Sequence, residues 1–237
     1  MKRYVISTQR SGLNWLRYNI EYHTGLRTPG KELLVSKDTQ KESCFIRSHD
    51  PMGVSYTRSQ YLKEVFSLSK KISDSAWNII NPQRTKNDVV ILLLRDYREV
   101  FVRTANKNYR KFDVYLSNIR FLNKANTNRK KVFYYEDFVK NPETMSEMLS
   151  FLQLPETEGD HLSLDNISNT WDKKAAASVD KYSVNQAAGG GAMTKNNRYD
   201  FKHHQQELNQ EELDSLDRYI NDSLTDSELS YLFRYRS

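Results

Sequence analysis

Four short apolar runs punctuate the chain, and each breaks off in a polar turn that leads into a helix-spaced stretch. The first, Tyr4 to Ile6, gives way to the turn Ser7 to Gly12 and then to Trp15, Leu16, Asn19 and Ile20 at helical spacing. The second, Ser43 to Arg47, closes on Ser48-His49-Asp50-Pro51, where Pro51 and Gly53 break the chain. The third, Val89 to Leu94, is the most hydrophobic run. Continuous aliphatic residues bounded by charge predict a central parallel strand covered on both faces. The fourth, Lys131 to Tyr135, ends in Glu136-Asp137. Asn141 then caps a helix whose first residue is Pro142 and whose buried positions are Met145, Met148, Leu149 and Leu152.

Between these runs the spacing predicts helices over 58–73, extended as a layer by Ala76 to Ile80, from Arg95 to about Lys107, and from about Val114 to Ala125. The last third is less regular. His161 to Tyr182 reads as mostly helical, and the glycine-rich stretch Gln186 to Ala192 as a flexible loop. Asn209 caps a helix with acids in its first turn and a stripe of Leu213, Leu216, Tyr219 and Ile220, and Thr225 caps a final short helix through Leu232. Strand and helix alternate four times, so the expected class is α/β, a parallel sheet flanked by helices. The 237 residues suit a single domain, 1–237, with a helical, loop-rich part from about residue 159 onward.

Charge changes the picture more than composition does. A formal net charge of +6 favours an anionic partner: a nucleotide, a nucleic acid or a membrane surface. Lys and Arg are spread along the chain, and no zinc or helix-turn-helix pattern is visible, so a nucleic-acid module is disfavoured. No apolar run approaches the length of a membrane span, and a strand beginning almost at Met1 leaves no room for a signal peptide, so a soluble cytoplasmic protein is expected. The single cysteine, Cys44, sits in an apolar run, where a small buried residue is expected rather than a nucleophile.

In a parallel sheet the ligand crevice lies beyond the carboxyl ends of the strands. Here those ends carry Arg10, His49, Arg95 and the pair Tyr135-Glu136. The first is also an anion cradle. A strand, a tight turn with Gly12 and a helix leave the first amides of that helix unpaired, with the macrodipole and Arg10 adding positive charge beside them.

These pieces resemble the cytosolic-type sulfotransferases that use 3′-phosphoadenosine 5′-phosphosulfate (PAPS). Thr8-Gln-Arg-Ser-Gly-Leu-Asn-Trp15 is similar to that family's phosphosulfate loop, and Phe45-Ile-Arg-Ser-His49 to the segment ending in its catalytic histidine. Leu92-Leu-Leu-Arg-Asp-Tyr-Arg-Glu-Val100 resembles the 3′-phosphate segment, and Tyr134-Tyr-Glu-Asp-Phe-Val-Lys-Asn-Pro142 the Tyr-Glu-Asp-Leu…Asn-Pro stretch. The resemblance covers Tyr4 to Leu154, in order, and implies a P-loop-NTPase-like sulfotransferase fold. It further implies a sulfuryl transfer from PAPS to a hydroxyl or amine of a small-molecule or glycan acceptor, without a metal. His49 would be general base, with an unperturbed pKa of roughly 6.5 that suits the task. Arg10 and Arg47 would support the transferred group. Ser11, Gly12, Leu13, Asn14, Trp15, Arg95, Arg103 and Tyr135 would bind the nucleotide, with Arg10 and Arg95 at opposite ends.

The chain departs from the family's pattern at several positions. Gln9 stands for a proline, Leu13 and Asn14 for two threonines, and Arg103 for a serine. The family's C-terminal Arg-Lys-Gly segment is replaced at best by Gly189 to Gly191 with Lys195 and Arg198. Two other readings share the cradle: a P-loop-type nucleotide kinase, which would lack the usual Lys-Ser/Thr after the glycine, and a PAPS-binding protein with degenerate activity. The acceptor would be shaped by loops at 25–42, 50–60 and 104–113, with Tyr56, Tyr109 and Phe112 as candidate walls.

Overall fold

The computed structural model describes residues 1–30, 34–35, 42–66, 75–155, 163–171 and 207–236. Four strands, β1 (Arg3–Ser7), β2 (Ile46–Ser48), β3 (Val89–Leu94) and β4 (Lys130–Tyr134), form an all-parallel sheet in the order β2-β1-β3-β4. The helices are α1 (Leu13–Thr24), α2 (Arg58–Phe66), α3 (Tyr97–Arg103), α4 (Tyr109–Lys124), α5 (Tyr135–Phe138) and α6 (Pro142–Phe151). Then come α7 (164–171), α8 (Gln210–Ser223) and α9 (Asp226–Leu229), which runs into a 3-10 turn over Ser230–Tyr235.

Alternation along the strands divides the core in two. Tyr4, Ile6, Val90, Leu92 and Leu94 face α3, α4 and the segment 208–235, while Val5, Ile91, Leu93 and Phe133 face α1, α6 and α7. All six residues of β3 are buried, as expected of a strand with a neighbour on each side and a helical layer on each face. The carboxyl ends of β1, β2 and β3 therefore emerge side by side from a rigid base.

Several boundaries differ from the sequence expectation. Strand β2 is only three residues long and starts at Ile46; Phe45, ahead of it, is buried in the layer beneath α1. Tyr135 belongs to α5 and not to the fourth strand. Ala76 to Ile80 does not extend a helical layer: Trp77 bridges Ser48 antiparallel, so this segment shields the short edge strand. The helix after β3 stops at Arg103, and α4 begins at Tyr109, where the Asn108 side chain accepts the Lys111 amide. Residues 67–73 of the expected second helix, most of 161–182 and the glycine-rich loop at 186–192 lie outside the described residues. Asn141 is the N-cap position of α6 with Pro142 first, as the sequence predicts, though its side chain makes no capping bond.

Candidate functional site

The turn after β1 is backbone-strained. Arg10 has φ 64°, a left-handed conformation uncommon in a non-glycine residue, and Gly12 follows at φ 81° as the N-cap of α1. The site also needs glycine at Gly12 for space. A Cβ there would lie 2.5 Å from Phe138 Cζ and 2.8 Å from Tyr135 Cδ2.

Not all the cradle amides face outward. Ser11 N–H donates to the Thr8 carbonyl (3.2 Å) and Trp15 N–H to the Gly12 carbonyl (2.9 Å). The amides of Gly12 and Leu13 donate to no acceptor among the described residues. The Leu13 side chain is 6% exposed and packs into the layer under the sheet, so replacing a threonine there costs the cradle a hydroxyl but not an amide. Asn14 is exposed, and its Oδ1 accepts from Arg17 Nη1 at 3.3 Å.

A cavity of about 320 Å³ opens over this turn, lined by Gln9, Arg10, Gly12, Leu13, Asn14, Trp15, Arg47, His49, Arg95, Arg103, Tyr135 and Val139. Nearly every residue singled out from the sequence stands in that wall. Ser11 is an exception: it is fully buried behind it. Lys195 and Arg198 lie outside the described residues. Tyr56, Tyr109 and Phe112, expected as acceptor walls, do not line it. Phe112 is a fully buried core residue, Tyr109 packs against Phe101 and Tyr219, and the Tyr56 hydroxyl donates to the Trp77 carbonyl at 2.8 Å.

Arg95 does more than the sequence suggested. It is 3% exposed; Nη1 donates to the Arg10 carbonyl (2.9 Å), Nη2 reaches Glu99 Oε2 (3.4 Å), and the guanidinium carbon lies 4.3 Å from the centroid of the Tyr135 ring. It therefore props the strained turn as well as lining the cavity, so the backbone at Arg10 depends on Arg95. Arg103, one α3 turn beyond Glu99, has its pKa lowered by burial first and then by the charges of Arg95 and Arg10. Like charges so gathered favour an anion of more than one charge. Ser11 Oγ, Trp15 Nε1 and Arg95 Nε are among eight buried side-chain polar atoms with no hydrogen-bond partner among the described residues. Trp15 and Arg95 line the cavity, so their unmet donors suit an anionic group there, whereas Ser11 lies behind its wall.

His49 sits just beyond β2. Its Nδ1 lies 2.6 Å from the Ser7 carbonyl oxygen, which can only accept, so Nδ1 carries the proton and Nε2 keeps the lone pair. The ring meets Trp77 edge-on with centroids 5.4 Å apart. Burial lowers its pKa from 6.5 to about 4; the Ser7 carbonyl opposes the shift and the Arg47 charge adds to it. At neutral pH the imidazole is an uncharged base.

Asn118 of α4 went unremarked in the sequence. Fully buried, it donates through Nδ2 to the His49 carbonyl (3.2 Å) and to Thr8 Oγ1 (3.4 Å), tying the turns after β1 and β2 to one helix. Its signal was present: an amide on the same helical face as Tyr115 and Leu122, where an apolar residue would be expected. Cys44 is no nucleophile here, since burial pushes its thiol up to about 12. Among the described residues no helix is long and apolar enough to cross a membrane. No protein-family model matches this chain, and comparison with curated proteins returns no match.

Proposed function

We propose that this chain is a PAPS-dependent sulfotransferase with a P-loop-like sulfotransferase fold, acting on a hydroxyl or amine of a small-molecule or glycan acceptor. The observation that carries the reading is one cavity at the carboxyl edge of a parallel sheet, walled by Arg10, Arg47, Arg95 and Arg103 with an uncharged histidine among them. Such a site suits a multiply charged nucleotide and a proton-abstracting step together.

PAPS supplies an activated sulfuryl group on a phosphate. The Gly12 and Leu13 amides, Arg10 and Arg47 neutralise charge at that end, where sulfuryl transfer, like phosphoryl transfer, needs positioning and charge stabilisation above all. Arg95 and Arg103 hold the 3′-phosphate. Trp15 and Tyr135 offer aromatic surface to the nucleotide. His49 Nε2 takes the proton of the acceptor, and its Nδ1–H, fixed by the Ser7 carbonyl, keeps the ring in the required tautomer.

Labelled PAPS offered with a panel of alcohols, phenols, amines and sugars tests cofactor, activity and acceptor class at once. Binding of the product nucleotide, 3′-phosphoadenosine 5′-phosphate (PAP), is measured in parallel by calorimetry. Wild type should transfer and bind; His49→Ala should bind and not transfer; Arg95→Ala should bind more weakly. PAP binding without transfer to any acceptor would instead mark a binding protein. Turnover of ATP with Mg²⁺ would mark a kinase.

A further inference from the structure

The peptide unit that follows β3 is held in an unusual way. Pairing of β3 with β1 ends at Ser7↔Leu93 and with β4 at Leu94↔Tyr134, because Tyr135 turns into α5. The peptide joining Arg95 to Asp96 thus lies beyond both ladders. A buried peptide group without partners is costly, and here two side chains supply them. Its carbonyl accepts the Tyr115 hydroxyl at 2.8 Å, and its amide donates to Glu136 Oε1 at 3.1 Å. The other carboxylate oxygen, Oε2, accepts the Tyr235 hydroxyl at 2.7 Å.

We propose that Tyr235, which does not line the cavity, is a positioning residue that orients Arg95 through Glu136. A carboxylate held at one oxygen can swing; held at both it defines the plane of the Arg95–Asp96 peptide, from which the Arg95 side chain departs. Tyr235 is well placed to be that second hold. It is 5% exposed and meets the rings of Tyr97 and Tyr134 edge-on. The turn carrying it is pinned to α5, where Arg234 pairs with Asp137 through both nitrogens. Burial raises the pKa of Glu136, while the bonds from Tyr235 and Asp96 draw it back toward the ionised form that can accept both.

The inference rests on reading Arg95 as the anchor of the 3′-phosphate. Its test is Tyr235→Phe, which keeps the ring and removes only the hydroxyl, with Glu136→Gln beside it. PAP and adenosine 5′-monophosphate are titrated by calorimetry, and exchange of the Asp96 amide and the Arg95 Nε resonance are followed by NMR. Tyr235→Phe should lose roughly three- to tenfold in PAP affinity, the range of one hydrogen bond, and clearly less in affinity for the monophosphate, which meets Arg95 only through the Arg10 turn that it props. The Asp96 amide should exchange faster. Equal losses for both nucleotides would indicate general loosening and overturn the proposal, as would unchanged affinity with unchanged exchange. If wild type binds neither nucleotide, the functional reading fails on its own. The Asp96 and Arg95 signals then decide the positioning: shifted in both variants they support it, and unmoved they overturn it.

Discussion

At Gly12 two constraints coincide that are separate at Gly25. Both have left-handed φ, 81° and 67°, but a Cβ at Gly25 would meet nothing within 4 Å, whereas at Gly12 it would strike Phe138 and Tyr135. Gly25→Ala should therefore cost about 1 kcal/mol from strain alone, and Gly12→Ala about 3 kcal/mol from strain and overpacking, read as paired thermal or urea unfolding. Equal losses would show that the crowding relaxes away. His49 carries the second residue-scale prediction. Because burial, and then the Arg47 charge, hold its pKa near 4 rather than 6.5, the acid limb of kcat/KM should fall near pH 4, with a flat profile through pH 6 to 7. Arg47→Ala should move that limb to higher pH, since it removes a charge that disfavours imidazolium. An acid limb at 6.5 or above in wild type would contradict the burial. The sequence named His49 but placed it at its ordinary pKa; the shift comes first from burial, in a fold that sets the Trp77 ring edge-on against the imidazole, a neighbour no local pattern brings to it.

At the scale of elements, the ends of helices were the most legible features. Asn209 accepts the Glu212 amide while the Glu212 carboxylate accepts the Asn209 amide, the reciprocal arrangement that the sequence Asn-Gln-Glu-Glu announces. Asn209→Ala should cost about 1 kcal/mol in urea unfolding, the usual loss for an N-cap. No change there would mean that the Lys107–Glu212 pair and packing hold the start of α8 unaided. Strand edges were less legible. Strand β2 shrinks to three residues because its outer side is taken over by Trp77, whose antiparallel bridge to Ser48 spans a sequence separation that periodicity does not register. The contact of Arg95 with the Arg10 carbonyl is of the same kind, joining two strand ends that pattern alone treats as independent.

For the molecule as a whole, the clustered arginines set a balance between the empty and the occupied site. The charges of Arg95 and Arg10, after burial, disfavour charge on Arg103, so the fold holds repulsion that an anion would relieve. Pyrophosphate should raise the Tm of wild type by mass action well beyond chloride at equal ionic strength. Arg103→Gln should melt as high as wild type or higher without the anion and gain less when it is added. If pyrophosphate raises the two melting temperatures equally, Arg103 takes no part in anion binding.

What the sequence by itself determined was the α/β class with its parallel sheet and most of the residues that gather around the cavity. Period-two and period-3.6 patterning needs only neighbours in the chain, so it located the four strands and most of the helices. The rule that parallel strands present their carboxyl ends together then collected Arg10, His49, Arg95 and Tyr135 without coordinates. Only the tertiary structure decided how those residues behave. It spends the Ser11 and Trp15 amides inside the turn, leaves Gly12 and Leu13 facing the cavity, neutralises His49 by burial and makes Arg95 a prop for Arg10. The reason is physical: hydrogen bonding and desolvation depend on groups far apart in the chain, and the fold alone sets those distances.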